Sequence, residues 1–346
     1  MPELLIVGDA HLGRLATIFP NKDWQAMSVA PLQQVDEYAK KYNIKHIIQL
    51  GDVFDVPNPS QELLTLLTDF LLTSKNNWYI NLGNHDHHSR RKHSCVFLRY
   101  LAKRRRLTNC RFFPKETRLT IAGVPTVILP WPKRRSKLLT GPPSLVIAHV
   151  ERAGAHYDNG RKITRHNFKL GRHFWCIGDL HEFQTDDNLI FSGAVSQLRF
   201  GDSEAKYFLH LRVKTTEDKI TVRYKRIRFV PQFILRDLTI NKLADLAQLD
   251  KLAENVYVRL IIQQDVAVPE QYFRHPQVIK HRFFGNKNDL RAIRLDSFNL
   301  QIAKSTIESR ISALQIWLRQ QTQLPKQRRR QAIKYAERLE RKLLAA

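Results

Sequence analysis

The chain has little cysteine, little acid and no long apolar run. Its three cysteines, Cys95, Cys110 and Cys176, show no CxxC spacing, which excludes a disulfide scaffold and a thiolate zinc site. A reducing, cytoplasmic compartment is therefore expected. No apolar stretch approaches the ~18 residues of a membrane span. The opening MPELLIVGDAH carries no basic segment ahead of a long apolar one and does not read as a secretion signal. Internal repeats and low-complexity tracts are also missing. Acidic residues number 32 against 57 basic ones, a formal charge of +25. A field of that sign favours a polyanion, either nucleic acid or an anionic membrane surface.

What is present is globular. With 346 residues, 43% of them hydrophobic, the chain can build a sizeable core and is expected to form roughly two domains. Short aliphatic runs at Leu4 to Val7, His46 to Leu50, Trp78 to Leu82, Leu145 to Ala148 and Phe174 to Ile177 read as buried strands. Pro31 to Tyr42 and Glu62 to Leu72 read as helices between them, with Pro31 at the first helical position. Thr120 to Leu129 reads as a hairpin around Gly123, and Asn188 to Phe191, Tyr207 to Val213 and Lys219 to Lys225 as further strands. Val256 to Ile262 alternates in period two, as a half-buried strand does. The alternation predicts an α/β layered fold with mixed sheets.

The chemistry lies just past the end of each strand. Gly8-Asp9-Ala10-His11 comes after the first, Gly51-Asp52-Val53-Phe54-Asp55 after the second and Gly83-Asn84-His85-Asp86 after the third. His149 comes after the fourth, and Gly178-Asp179-Leu180-His181 ends the fifth. Parallel strands of one sheet would bring these ends to one rim, where α/β folds bind ligands. Any one such motif is commonplace, but five in order are not. Mixed Asp, His and Asn donors suit manganese, iron or zinc, and the oxygen content favours the harder ions. Two metals held by a bridging carboxylate, for which Asp52 is best placed, would clamp a phosphoryl centre.

At these residues the sequence resembles the calcineurin-like metallophosphoesterases. More narrowly it is similar to the SbcD-type nuclease subunits of DNA double-strand-break repair and recombination complexes, phage members included. That narrower resemblance rests on His11-Leu12-Gly13, GDVFD at 51–55, Leu129-Pro130-Trp131 and Gly193-Ala194-Val195 leading into Phe200-Gly201-Asp202. It implies a layered two-sheet metallophosphoesterase sandwich over residues 1–231. A small α/β cap domain that positions DNA would span 232–300, and a helical hairpin 301–346. It implies two divalent metals, manganese foremost and magnesium next. Asp9, His11 and His181 would hold one, Asn84, His149 and Asp179 the other, with Asp52 between them. His85 would act on the leaving oxygen, with Asp55 orienting it. The family reads GHxH where this chain reads GDLH, so Asp179 adds a carboxylate and should favour hard, oxygen-preferring ions.

Basic segments fit the same picture. Arg90, Arg91, Lys92, Lys103, Arg104, Arg105 and Arg106 fall in a charged stretch that begins directly after GNHD, and are candidate contacts to double-stranded DNA. Ile307, Ile311, Leu314 and Leu318 line one helical face and Tyr335 and Leu339 another. The resemblance implies that this hairpin grips an SMC-like ATPase. A homodimer is a further expectation; a membrane is not. The function expected is a manganese-dependent exonuclease on duplex ends, and an endonuclease with its ATPase. A phosphatase or phosphodiesterase of small substrates, and a DNA-end-binding scaffold whose site has decayed at Asp179, are the alternatives.

Overall fold

Aliphatic runs closed by Gly–Asp or Gly–Asn turns fold as parallel strands whose connections are long enough to hold helices. A computed structural model describes residues 1–19, 24–87, 93–131, 139–157, 160–164, 167–263 and 266–284. The elements run in the order β1 (Glu3–Val7), α1 (Arg14–Ile18), α2 (Trp24–Lys41), β2 (His46–Gln49), α3 (Gln61–Thr73), β3 (Asn77–Asn81), α4 (Val96–Lys103) and β4 (Cys110–Phe113). Next come β5 (Thr117–Ile121), β6 (Val124–Leu129), β7 (Leu145–His149), β8 (Phe174–Gly178), β9 (Gln184–Asp186), β10 (Leu189–Phe191), β11 (Tyr207–Thr215) and β12 (Ile220–Arg228). The last are β13 (Ile234–Ile240), a 3-10 helix (Leu243–Lys251), β14 (Val256–Gln263), α5 (Glu270–Phe273) and β15 (Val278–Phe284).

Two mixed six-stranded sheets face one another, in the orders β12-β11-β1-β2-β3-β4 and β5-β6-β7-β8-β10-β9. β1 to β4 are parallel, as are β6, β7, β8 and β10, while the outer strands run antiparallel. The inner faces meet through Leu4, Ile6, Ile48 and Leu50 on one side and Ile128, Leu145, Ile147 and Cys176 on the other. The outer face of the first sheet, Leu5, Ile47, Trp78 and Ile80, is roofed by Val29, Leu32 and Val35 of α2 and Leu63, Leu67 and Phe70 of α3. The second sheet's outer face is covered by Leu139, Ile163 and Phe168, from irregular chain among the described residues.

Sequence pattern and structure part company in two places. Pro31 lies inside α2, whose helix begins seven residues earlier at Trp24. Its ring costs only the bond to the carbonyl of Met27, and Val29, Leu32 and Val35 bury a continuous stripe that outweighs the loss. The five motif-bearing strands also do not share one sheet. β1, β2 and β3 belong to the first, β7 and β8 to the second, and the rim is assembled where the two layers meet.

A third, small sheet, β13-β14-β15, is parallel throughout, its crossovers made by the 3-10 helix and α5. It docks on the chain just past the first motif. Leu15, Ile18 and Phe19 pack on Phe233, Leu235 and Tyr257, with Phe19 meeting the rings of Phe233 and Tyr257 edge-on at 5.3 and 4.8 Å. Gln197 joins the edge of β13 like an added strand, accepting from Leu235 N at 2.7 Å and donating to Leu235 O at 3.0 Å. Arg90, Arg91, Lys92 and the proposed terminal hairpin lie outside the described residues. No helix among the described residues is long and apolar enough to cross a membrane.

Candidate metal centre

Three of the turns at the rim are cut short by a backbone that few side chains tolerate. His11, Asp52 and Asp179 adopt φ values of 44, 50 and 93°. Such left-handed positions cost a non-glycine residue about 1–3 kcal/mol each and persist only where surroundings impose them. The surroundings here are hydrogen bonds between turns. Ala10 N and His11 N both donate to Asp52 O, Leu12 N to Val53 O, and Asp55 N back to Leu12 O. Gln49 donates from Nε2 to the carbonyls of Gly8 and Gly51 at 3.3 and 2.6 Å. The first and second turns therefore form one unit.

The side chains form three overlapping donor groups, each with ligand atoms within 4.8 Å of one another: Asp9, Asp52 and His149, all buried; Asp9, His11 and His181; and His11, Asp52 and His85. Asp52 Oδ2 lies 3.6 Å from His11 Nε2 and 3.3 Å from His149 Nε2, which places it between the two halves. His149 Nδ1 donates to Leu50 O at 3.2 Å and leaves Nε2 for a cation. Around that Nε2 stand Asn84 Oδ1 at 2.9 Å and Asp179 Oδ1 at 3.7 Å. Asp179 N donates to Asp9 Oδ2 at 2.9 Å and ties the second sheet to the first motif. Asp9 Oδ1 and His11 Nε2 are buried and make no hydrogen bond. Buried polar atoms left in that condition are costly, and a divalent cation is the partner their chemistry suits. The donor set fits two metals.

The electrostatics agree. Burial, reinforced by the charge of Asp52, pushes the carboxyl of Asp9 up to about 7 against the pull of His149 and His181. Burial also raises Asp179 and lowers His11. Asp52 is held below the usual carboxylate range: burial opposes its charge, but His149 and His11 overcome it. His149 moves well above its ordinary value despite burial, because Asp52 and Asp9 face it. Metal-free, the centre holds protons where a cation would otherwise sit.

His85 adjoins His11 and Asp52 but lies at the exposed edge of the set. Its side chain is 42% exposed, and its backbone N–H donates to Asp52 Oδ1 at 2.8 Å. Its Nδ1 lies 2.8 Å from the carbonyl oxygen of Asp55. A carbonyl only accepts, so Nδ1 carries the proton and Nε2 is left to exchange one. This alters the expected part played by Asp55. Its backbone carbonyl orients His85, while its carboxylate lies 3.2 Å from His11 Nδ1 and 4.0 Å from His85. The carboxylate, which reaches Arg14 at 3.8 Å, therefore steadies His11.

Two further residues hold the site without facing it. Asp86, fully buried, accepts from Val53 N and Phe54 N at 3.2 Å each, from Gly83 N at 3.0 Å and from the Ser94 hydroxyl at 2.9 Å. It pins the third turn to the second, and burial together with Asp52 raises it to about 6. Its signal in the sequence was a carboxylate in GNHD for which no ligand position remained. Lys206, also buried, donates to His181 O at 2.9 Å and Glu182 Oε1 at 2.7 Å, and no motif announced it.

The basic cluster Lys103 to Arg106 is exposed, but it is not at this rim. It lies between the C-terminal end of α4 and β4, whose first residue pairs with Trp78 near the start of β3. That is the end of the first sheet opposite the metal centre.

The family model for calcineurin-like phosphoesterases matches residues 3–183, which hold all five motifs. The chain belongs to that family. This phosphoesterase is accordingly a metal-dependent enzyme of phosphate esters. It is also 26% identical over 219 residues to the exonuclease subunit 1 of enterobacteria phage T4, a match that takes in 58% of the chain and 61% of that relative. Among solved structures, a protein of unknown function from Aquifex aeolicus overlaps 37% of the phosphoesterase and 60% of its own length at 12% identity, with a TM-score of 0.21.

Proposed function

We propose that this phosphoesterase is a two-metal DNA nuclease, an exonuclease on duplex ends that becomes an endonuclease with an SMC-like ATPase, working in recombination and double-strand-break processing. The observation that supports it most is the paired donor set sharing Asp52, on a chain of charge +25 that is similar to a phage exonuclease subunit. Asp9, His11 and His181 would hold one metal and Asn84, His149 and Asp179 the other, with Asp52 common to both. When bound, such ions supply Lewis-acid activation of water and of the phosphoryl oxygen. With Asp9, Asp52 and Asp179 at the centre, manganese is the ion expected, magnesium next. The chain's own part is to seat the phosphodiester over this cluster and to move a proton at His85 Nε2 onto the leaving oxygen, the ring held by Asp55 O.

The remaining assignments extend this reading. The small sheet is a cap that positions DNA over the cluster, and the ATPase would be gripped through Ile307, Ile311, Leu314, Leu318, Tyr335 and Leu339, which lie outside the described residues. Arg90, Arg91 and Lys92 contact the backbone beside the site, while DNA reaching Lys103 to Arg106 would have to extend to the far end of the first sheet. A homodimer in a bacterial or phage-infected cytoplasm completes the picture.

One assay tests it: manganese-supplemented hydrolysis of linear duplex DNA beside a set of p-nitrophenyl phosphoesters. Degradation of duplex from its ends is expected. Turnover of monoesters alone would make the enzyme a phosphatase. Inertness of wild type, relieved by Asp179→His, would make it a scaffold with a decayed site.

A further inference from the structure

A second concave site lies at the other end of the first sheet. Glu3, at the start of β1, and Asp9, beyond its end, are six residues apart, about 20 Å in extended chain. Beside Glu3 is a groove of about 420 Å³ between the last turn of α2 and the β11–β12 ribbon. Tyr38 and Tyr42 form one wall, their rings 4.3 Å apart. The floor comes from the ribbon, where His210 pairs with Lys225 and Arg212 with Arg223, so all four side chains share one face.

The charges in the groove are not neutralised. Glu3 takes up Arg212 at 2.7 Å and His210 at 2.9 Å, and the Tyr38 hydroxyl meets His210 from the other side at 3.2 Å. That leaves Arg223 and Lys225, which meet no carboxylate among the described residues. Tyr42 is 50% exposed, and Lys41 Nζ, on a long flexible stem, lies 5.6 Å from the centre of its ring. Unpaired cations next to an exposed aromatic ring serve an anion that carries a flat π-surface, and a nucleotide is such a group. An acidic protein segment would use the cations but would have no need of Tyr42. The cations also continue beyond the groove. Lys41 and Lys45 precede β2, Lys75 precedes β3, and Lys103 to Arg106 precede β4, all exposed at the same end of the sheet.

We propose that this groove binds an unpaired nucleotide of a nucleic-acid strand. The base stacks on Tyr42, the phosphates on either side meet Arg223 and Lys225, and the strand continues along the basic edge of the sheet. This goes beyond the nuclease reading and is tested without turnover. Anisotropy of a short fluorescein-labelled, phosphorothioate-linked oligothymidylate measures binding to the full chain. Tyr42→Ala should weaken it at least about fivefold, the lower end for one stacked base. Arg223→Ala with Lys225→Ala should make the dependence of log K on log[salt] shallower by about 1.4, the share of two phosphates on a single strand. Thermal melting checks that the variants remain folded. Unmodified protein provides a second measurement: photo-crosslinking with an iodouridine oligonucleotide should modify the peptide containing Tyr42. Unchanged affinity and salt slope in folded variants would overturn the proposal, as would adducts confined to other peptides. Polyglutamate displacing the oligonucleotide at equal charge while Tyr42→Ala has no effect would also overturn it, in favour of an acidic protein.

Discussion

The first sheet's three turns are laced to one another, whereas the second sheet's contributions lean across the gap. Gln49 joins the turns after β1 and β2, and Asp86 joins those after β2 and β3. His149 and Asp179, by contrast, are oriented by first-sheet atoms, Leu50 O and Asp9 Oδ2. His181 is steadied from both layers, its carbonyl accepting from Lys206, just ahead of β11 of the first sheet, and from Ala194 N. The first sheet's turns are therefore held by their own layer, and the second sheet's donors are in register only while the layers are packed together. That suits a site in which Asp52, on the first sheet, faces donors from both.

The contrast can be broken at its hinge. Asp52→Ala should empty both halves together, with hydrolysis falling at least about a thousandfold, the several kcal/mol that bound metals supply. Metal content by mass spectrometry beside the rate checks this, and one retained metal would show that Asp52 is not shared. His85→Asn should lower the rate by about 10²–10⁴ with metal content unchanged, as loss of a proton-transfer group does. A fall in stoichiometry would make His85 a ligand instead. Asp86→Ala strands three buried N–H groups, so urea unfolding should show a loss of about 3 kcal/mol or more. A loss under about 1 kcal/mol would mean that the turns hold without it. The smallest effect is in pH. A cation must displace the proton of His149, whose affinity for it is raised, and that of Asp9, raised to about 7. Manganese affinity should therefore strengthen as pH rises through about 7 and then level off, with proton release seen by calorimetry in buffers of different ionisation heat.

Much of this was legible in the order of residues. The strands carrying the motifs read from their aliphatic runs almost to the residue, because burial on both faces removes the alternation and leaves only length and flanking glycine as cues. Partition of those strands between two sheets was not legible, since a parallel strand looks the same in either layer. The start of α2 was misplaced because proline is strongest as a helix opener, and here tertiary burial of the preceding turn overrode that preference. α1 and α4 are short and went unread, the latter inside a stretch that looked merely charged. In the site, Asp9, His11, Asp52, His149, Asp179 and His181 lie together at the rim. The second role of Asp55 was hidden, because a backbone carbonyl leaves no trace in residue identity.

The glycines ahead of the acids bear on how a degenerating copy of this chain would look. A Cβ on Gly51 would fall 2.4 Å from His149 Nδ1, and one on Gly83 would fall 2.0 Å from Asp52 Oδ1. The space a methyl would need is already occupied by the side chain of a donor from another motif. A descendant reading Ala-Asp or Ala-Asn at either turn would keep every donor in its sequence and still lose the centre.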